Sequence, residues 1–395
     1  MTTVDSEGAR LARIALSCLV EPGDRELGTL VRAVGPAAAL ERVTGGGVSE
    51  RLRDAVAVRR TGTGSVPADP VRLAEGALER AERLGARIVT PEDDEWPGQL
   101  GDLVALSREG GPGGPVDRDT DPPLAIWVRG AAPLDEAFGR SVAVVGARAA
   151  TGYGTHVATE LGYGLAERGW TVVSGGAFGI DTAAHRAALS AGGLTAAVLA
   201  CGVDRPYPVG NMSLFERILD DGLLVSEWPA GAAPHRHRFL IRNRVIAAAT
   251  RGTVVVEAAG RSGARQTLGR ARRLGRSAMA VPGPVTSHAS AGCHEELRRL
   301  DTRLVTNVAE ILEEVGRIGD DLAPATPTAQ RPHDRLDPLS AQVLDAVLPG
   351  RTRTAEEIAA AAGVTAREAR RSLPFLVNGG FVAPHEGGYR LARLG

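Results

Sequence analysis

Apolar positions along the chain change their period three times, and each change marks a different kind of element. From Gly8 to Leu84 they recur with helical spacing at Leu11, Ile14, Ala15 and Leu19, then at Leu27, Leu30, Val31 and Val34. The Val34-Gly35-Pro36 step predicts the end of one helix and the start of the next. Between Leu124 and Ile318 short apolar runs alternate with helical stretches. The predicted strands are Ala125–Val128, Val142–Val145, Thr171–Ser174, Thr195–Ala200, Leu223–Ser226, Thr253–Val256 and Ser277–Val281. That alternation predicts a parallel sheet with helices on both faces. The last stretch predicts helices near Ala341, Ala355 and Arg367, then a hairpin from Gly380 and Gly388, which is the order of a winged helix.

The fold class is therefore α/β: a Rossmann-like, mostly parallel sheet over residues 86–318, preceded by a small helical domain (1–85) and followed by a winged-helix domain (338–395). The helical domain fits a helix-hairpin-helix or SAM-like bundle, acting either on a DNA backbone or as a packing module. Residues 108–123 (REGGPGGPVDRDTDPP) are too rich in Gly, Pro and charge to pack and are expected to form a mobile loop. Residues 319–337, with Pro324, Pro327 and Pro332, read as a linker.

Composition removes several classes of chemistry. All 46 basic residues are arginine, so a Walker A lysine and any Schiff-base lysine are excluded by residue type. Cys18, Cys201 and Cys293 are far apart and form no C-x-x-C pair, which supports neither a disulfide framework nor a zinc site. The chain has no apolar run of the roughly 18 residues that span a bilayer and no signal-peptide pattern at its start, so a cytoplasmic location is expected and no membrane partner. The formal net charge is −1, yet His235 to Arg276 holds eleven arginines against the single acid Glu257. One cationic face on an otherwise acidic body is expected, and arginine on one face suits phosphate.

Glycine-rich turns follow two of the predicted strands. Gly146-Ala-Arg148 leads to Gly152-Tyr153-Gly154 after the first, and Ser174-Gly175-Gly176-Ala-Phe178-Gly179 follows the second. At the carboxyl ends of parallel strands, free backbone amides at helix starts are suited to anions, and glycine lets a phosphate come close. The spacing is not G-x-G-x-x-G, and no acid lies about 20 positions beyond Val172, which disfavours a dinucleotide. His156 and His185 lie on predicted helices and no H-E-x-x-H occurs, so packing or surface roles are expected and no metal or cofactor. Asp181 is expected to cap a helix start.

These blocks carry a resemblance. Val144-Val-Gly-Ala-Arg148, Val173-Ser-Gly-Gly-Ala-Phe-Gly-Ile-Asp181, Cys201-Gly202 with Tyr207-Pro208, Ser226-Glu227, Phe239 with Arg242-Asn243-Arg244, Val256-Glu257-Ala258, Ser262-Gly263 and Val281-Pro-Gly283 stand in one order. Together they resemble the DNA-processing protein DprA (Smf) family. The resemblance implies a non-enzymatic protein that binds single-stranded DNA, forms a homodimer and helps load the RecA recombinase during natural transformation. Its phosphate contacts would fall on Arg148, the second glycine loop, Arg242 and Arg244, with Asn243, Ser262 and Gly263 nearby and Phe178, Phe239 or Tyr153 stacking bases. Three departures stand out: Phe178 where such proteins commonly carry Arg, Ala264-Arg-Gln-Thr-Leu268 after Ser262-Gly263, and Leu300-Asp301 where Gly-Ala is usual.

Arg367, Arg370 and Arg371 share one face of the expected recognition helix Thr365 to Asn378 and are candidate DNA contacts, while Leu373, Phe375 and Leu376 are expected in the core. Two other functions compete. A nucleotide or phosphoribosyl hydrolase would need a carboxylate near a glycine loop, for which Glu227 or Glu257 is available. A transcription regulator would sense a nucleotide in the sheet domain and bind duplex DNA through the winged helix.

Overall fold

The computed structural model describes residues 3–62, 69–108, 120–260, 262–316 and 336–392. They fall into two compact units, Met1–Ala323 and Pro324–Gly395. The first unit opens with five helices, α1 (Thr3–Leu19), α2 (Arg25–Val34), α3 (Pro36–Thr44), α4 (Glu50–Gly62) and α5 (Pro70–Arg83). Asp24 and Asp69 cap α2 and α5 through their side chains, and Gly35 both closes α2 and precedes α3, as the Gly-Pro step predicts.

Strands and helices then alternate: β1 (Ala86–Val89), α6 (Leu103–Arg108), β2 (Ile126–Arg129), α7 (Leu134–Gly139), β3 (Ser141–Val145), α8 (Gly152–Glu167), β4 (Thr171–Ser174), α9 (Ile180–Ser190), β5 (Thr195–Leu199), α10 (Met212–Asp221), β6 (Leu223–Ser226), α11 (Arg236–Ala249), β7 (Gly252–Val255), α12 (Gly263–Arg273), β8 (Ser277–Ala280), α13 (Ala291–Leu297), β9 (Arg303–Leu304) and α14 (Val308–Val315). All seven expected strands are present, each within a residue of its expected limits. Two more, β1 and β9, flank them at the sheet edges.

The sheet runs β1-β2-β6-β5-β4-β3-β7-β8-β9. Pairing from β6 to β9 is parallel, whereas β2 joins β6 and β1 joins β2 antiparallel. A strand such as Ser141-Val-Ala-Val-Val145 is buried at every position because helices cover both faces. Alternate residues separate the two cores. Val142, Val144, Val172 and Val254 pack against α8, α9 and α14, while Ala143, Val145, Val173 and Val255 pack against α7, α11 and α12. Full burial contributes about 1.5–3 kcal/mol for each large aliphatic side chain, so these layers fix the strand ends firmly.

The helical segment expected as a separate domain shares its core with this sheet. Ile14, Ala15, Ala74, Ala77 and Ala81 join Trp127, Leu199, Phe215 and Leu224 in one apolar cluster, although Leu16, Leu27, Val31 and Leu52 also form a small core of their own. The expected loop 108–123 is smaller at both ends. Helix α6 extends through Arg108, and Thr120 and Asp121 are buried, Asp121 accepting from Arg32 at 2.9 Å. The rest of that loop, and the linker to Arg335, lie outside the described residues. No described helix is long and apolar enough to cross a membrane.

The second unit has α15 (Pro338–Asp345), α16 (Ala355–Ala362) and α17 (Ala366–Asn378), then the antiparallel pair β10 (Val382–His385) and β11 (Gly388–Leu391). This is the element order expected of a winged helix. Thr354 with Glu357, and Thr365 with Glu368, form capping boxes that start α16 and α17. Leu373 and Leu376 are core as expected, but Phe375 is 56% exposed. It lies two positions beyond Leu373, about 200° around the helix, and so on the outer face.

Candidate functional site

The strand order reverses between β3 and β7, and in an open α/β sheet the crevice beyond such a reversal is where ligands bind. A cavity of about 870 Å³ lies there. Its walls are the loop after β3 (Gly146, Ala147, Arg148), the start of α11 (Arg236, Phe239, Leu240, Arg242, Asn243), the first turn of α12 (Ser262, Gly263, Ala264) and Tyr207. Seven of the fifteen expected site residues of the sheet domain line it: Gly146, Arg148, Phe239, Arg242, Asn243, Ser262 and Gly263.

The arginines of α11 divide by helical position. Arg236 is exposed at the cavity rim, one turn before Phe239. Arg242 lies under the floor, 5% exposed, where its guanidinium donates to the carbonyls of Gly175 (2.8 Å) and Val198 and its Nε to Asn243 Oδ1 (3.1 Å). A Cβ on Gly175 would fall 2.3 Å from that guanidinium, so the glycine is required by the arginine resting on it. Burial pushes the Arg242 pKa down to about 10, and it stays charged at neutral pH. Arg244 has no surface to offer. It is 0% exposed and forks onto Glu227 at 2.7 and 2.8 Å.

Across the mouth, Arg148 is exposed and holds its guanidinium carbon 5.4 Å above the Phe239 ring, and Tyr207 meets the edge of the same ring with centroids 5.8 Å apart. Tyr207 and Arg236 are lining residues that the sequence reading passed over as individual contacts. Arg236 was legible as the residue three positions before Phe239, hence on its face of the helix.

The glycine loops serve the protein's own anions. Glu257 accepts from the Thr151 amide (2.9 Å) and hydroxyl (2.6 Å), placing a carboxylate at the start of α8 where a phosphate was expected. A Cβ on Gly154 would fall 2.2 Å from that carboxylate, and Gly152 stands in the same first turn. In the second loop Asp181 accepts from the amides of Gly175 (3.1 Å) and Ala177 (3.3 Å), so it closes the loop rather than capping the helix, whose cap is Gly179. Burial raises the Asp181 pKa, and Arg242 opposes that rise. Ser174 is fully buried and donates to Val144 O at 2.7 Å, and Gly176 packs on Phe215. Ser174, Gly175, Gly176 and the α8 start therefore leave the ligand wall to α12, whose first turn opens into the cavity behind the Ser262 cap.

The expected cationic face is partly neutralised by acids distant in sequence. Arg238 pairs with Glu21, Arg265 with Glu295 (2.6 Å) and Glu296 (2.8 Å), Arg272 with Glu296 (3.0 Å), and Arg276 with Asp102 (2.6 Å). Glu21 also accepts from Arg59 and from Trp228 Nε1 (2.8 Å), so a carboxylate at the end of the first helix anchors the start of α11. His185 is buried: Thr195 Oγ1 donates to Val172 O (2.6 Å) and so accepts from His185 Nδ1–H (2.7 Å). In the second unit Arg367, Arg370 and Arg371 are exposed on α17, and Arg370 is engaged by Glu356.

Residues 87–316 match the family described as DNA recombination-mediator protein A. The chain is 46% identical over 381 residues to a protein of Mycobacterium tuberculosis named putative DNA processing protein DprA, covering 96% of this chain and 94% of that one. It is 41% identical over 194 residues to the DNA processing protein DprA of Streptococcus pneumoniae, covering 49% of this chain and 67% of that one. The X-ray structure of the Streptococcus pneumoniae DNA processing protein A superposes with a TM-score of 0.57 at 29% identity, covering 78% of this chain and 98% of that chain. The chain belongs to the DNA recombination-mediator protein A (DprA) family.

Proposed function

We propose that the crevice between β3 and β7 grips the backbone of single-stranded DNA without reading its sequence. The observation that carries this reading is the cavity mouth itself: Arg148 and Arg236 are exposed there on either side of Phe239, and the lining includes a single carboxylate, Asp181, held by backbone amides. Guanidinium forks bind phosphate bidentately and every base has a face to stack, so arginine beside aromatic rings favours a strand over any one base. A base that takes the Phe239 face turns Arg148 outward to the adjacent phosphate.

Binding rather than hydrolysis is supported by the two carboxylates a hydrolase would use. Glu227 is locked on Arg244 and Glu257 on Thr151. Membership of the family extends the proposal to delivery of the bound strand to a RecA recombinase, by a homodimer, in transformation and recombination.

The test is a fluorescence-anisotropy titration with an oligothymidylate and a duplex at several salt concentrations. The strand should bind tighter than the duplex, with log K falling by about 0.7 per log salt for each phosphate engaged. Arg148→Ala and Arg236→Ala should each flatten that slope by one such step. An unchanged slope and affinity in both variants rejects the crevice as the site, and tight sequence-dependent duplex binding rejects the function.

A further inference from the structure

A second cavity, of about 540 Å³, lies between α8 and α9. Its walls are two rows spaced four residues apart, Thr155, Thr159 and Tyr163 on α8 facing Thr182, Arg186 and Ser190 on α9. The helices meet so closely at Gly162, where a Cβ would fall 2.6 Å from Ala184 O, that these rows splay outward and leave an open groove.

Three features of the groove point to a ligand. Tyr163 and Phe178 are 45% and 47% exposed in one cavity, although rings of this size are rarely left in water together without use. Arg186 is exposed and without an acidic partner among the described residues, and no carboxylate lines the walls. Three of the wall hydroxyls are committed to backbone, Thr159 donating to Thr155 O (2.8 Å), Thr182 to Ala177 O (2.7 Å) and Ser190 to Arg186 O (2.8 Å), so apart from the Arg186 charge the walls carry little base-specific information.

The groove also adjoins the crevice. Ala177 and Tyr207 face the crevice, while the succeeding residues of the same two loops, Phe178, Gly179, Gly210 and Asn211, face the groove. Asn211 ties the loops together through Gly176 O (3.0 Å) and Thr182 Oγ1 (2.9 Å), and Gly179 sits so near the Arg148 carbonyl that a Cβ would fall 2.5 Å from it. The rings of Phe239, Tyr207, Phe178 and Tyr163 thus form a succession from one cavity to the next, with Arg148 at one end and Arg186 at the other.

We propose that the DNA strand leaves the crevice over the Phe178 ridge and continues along the α8–α9 groove, where Tyr163 stacks a base and Arg186 takes a phosphate. This extends the single-stranded DNA reading above and rests on it. The occupant is a strand rather than a protein segment because the groove offers two exposed rings and a cation, and the only alkyl side chains in its described lining, Ala183 and Ala187, are buried.

The test compares oligothymidylates from about 4 to about 20 nucleotides long, a range that brackets known single-strand site sizes. For the wild type, affinity should rise with length and then level off. In the Tyr163→Ala/Arg186→Ala double variant the shortest oligomer should bind as in the wild type, and the longest should lose about tenfold, because one stack and one phosphate are gone. Both side chains are exposed, and an unchanged melting temperature confirms that the fold is intact. Equal gains with length in the double variant and the wild type overturn the groove. Failure of Arg148→Ala to weaken binding at any length overturns the parent reading instead, so the two failures are distinct.

Discussion

The two ends of helix α11 make opposite use of the same residue. At its start Arg236 faces the crevice, exposed beside Phe239, and is free to meet a ligand. Two turns on, Arg242 and Arg244 are buried beneath the crevice floor, one on backbone carbonyls and the other on Glu227. On the proposed function rim arginines set affinity, whereas floor arginines hold the crevice walls in place. Charge alone does not distinguish them, but depth does, because a guanidinium taken out of water needs close acceptors to offset its desolvation, as the Glu227 carboxylate does for Arg244 although Arg244 Nε is left without a partner.

The largest expected effect breaks the floor. Arg244→Ala leaves Glu227 buried and unpaired and should cost about 3–5 kcal/mol of stability in urea denaturation. A loss below about 1 kcal/mol would place Arg244 among the surface arginines. At the rim, Arg148→Ala should lower single-strand affinity by about tenfold, the worth of one charge-assisted contact, with an unaltered melting temperature. Equal losses of affinity and stability would erase the distinction between rim and floor.

The buried layer between α9 and the sheet has a pH signature of similar size. Burial, reinforced by Arg242, holds the His185 pKa down to about 3. His185 Nε2 has no hydrogen-bond partner, so a proton there would be unsupported. The unfolded chain takes up that proton below about pH 6.5 while the folded one does not, so stability is full above that pH and declines as the pH falls toward 3. At pH 5.5 the decline should reach about 1.4 kcal/mol. A flat urea midpoint between pH 7 and 5 would show that the layer between α9 and the sheet is wet. The smallest effect belongs to α17, where Arg367→Ala and Arg371→Ala should each weaken strand binding about twofold, as befits exposed charges.

Much of the sheet was legible because a parallel strand covered on both faces is a plain apolar run, and β3, β4, β6 and β7 are such runs. The edges were not. Strand β1 carries Arg87 within four residues, and β9 is two exposed residues recognisable only by their pairing with β8. Arg148 and Phe239 were singled out by the family resemblance, whose blocks Val144–Arg148 and Phe239–Arg244 are short local runs. The fate of the other arginines was hidden by distance: Arg238 meets Glu21 from 217 positions away and Arg276 meets Asp102 from 174. The glycine loops misled for a related reason. Their geometry announces an anion, and nothing local reveals that Glu257, 106 positions beyond Thr151, supplies it.

That self-supplied anion has a consequence for what the molecule ignores. The tightest places for a lone phosphate, the start of α8 and the loop before α9, are occupied by Glu257 and Asp181, so free nucleotides and inorganic phosphate find no single strong point of purchase. What remains is the first turn of α12 and a spread of individually weak points, each a guanidinium or a ring. Only a polymer engages several of these together, and linkage turns modest contacts into strong attachment through effective concentration. On the proposed function, a strand would be told from the mononucleotide pool by chain length alone, a form of selectivity that needs no base to be read.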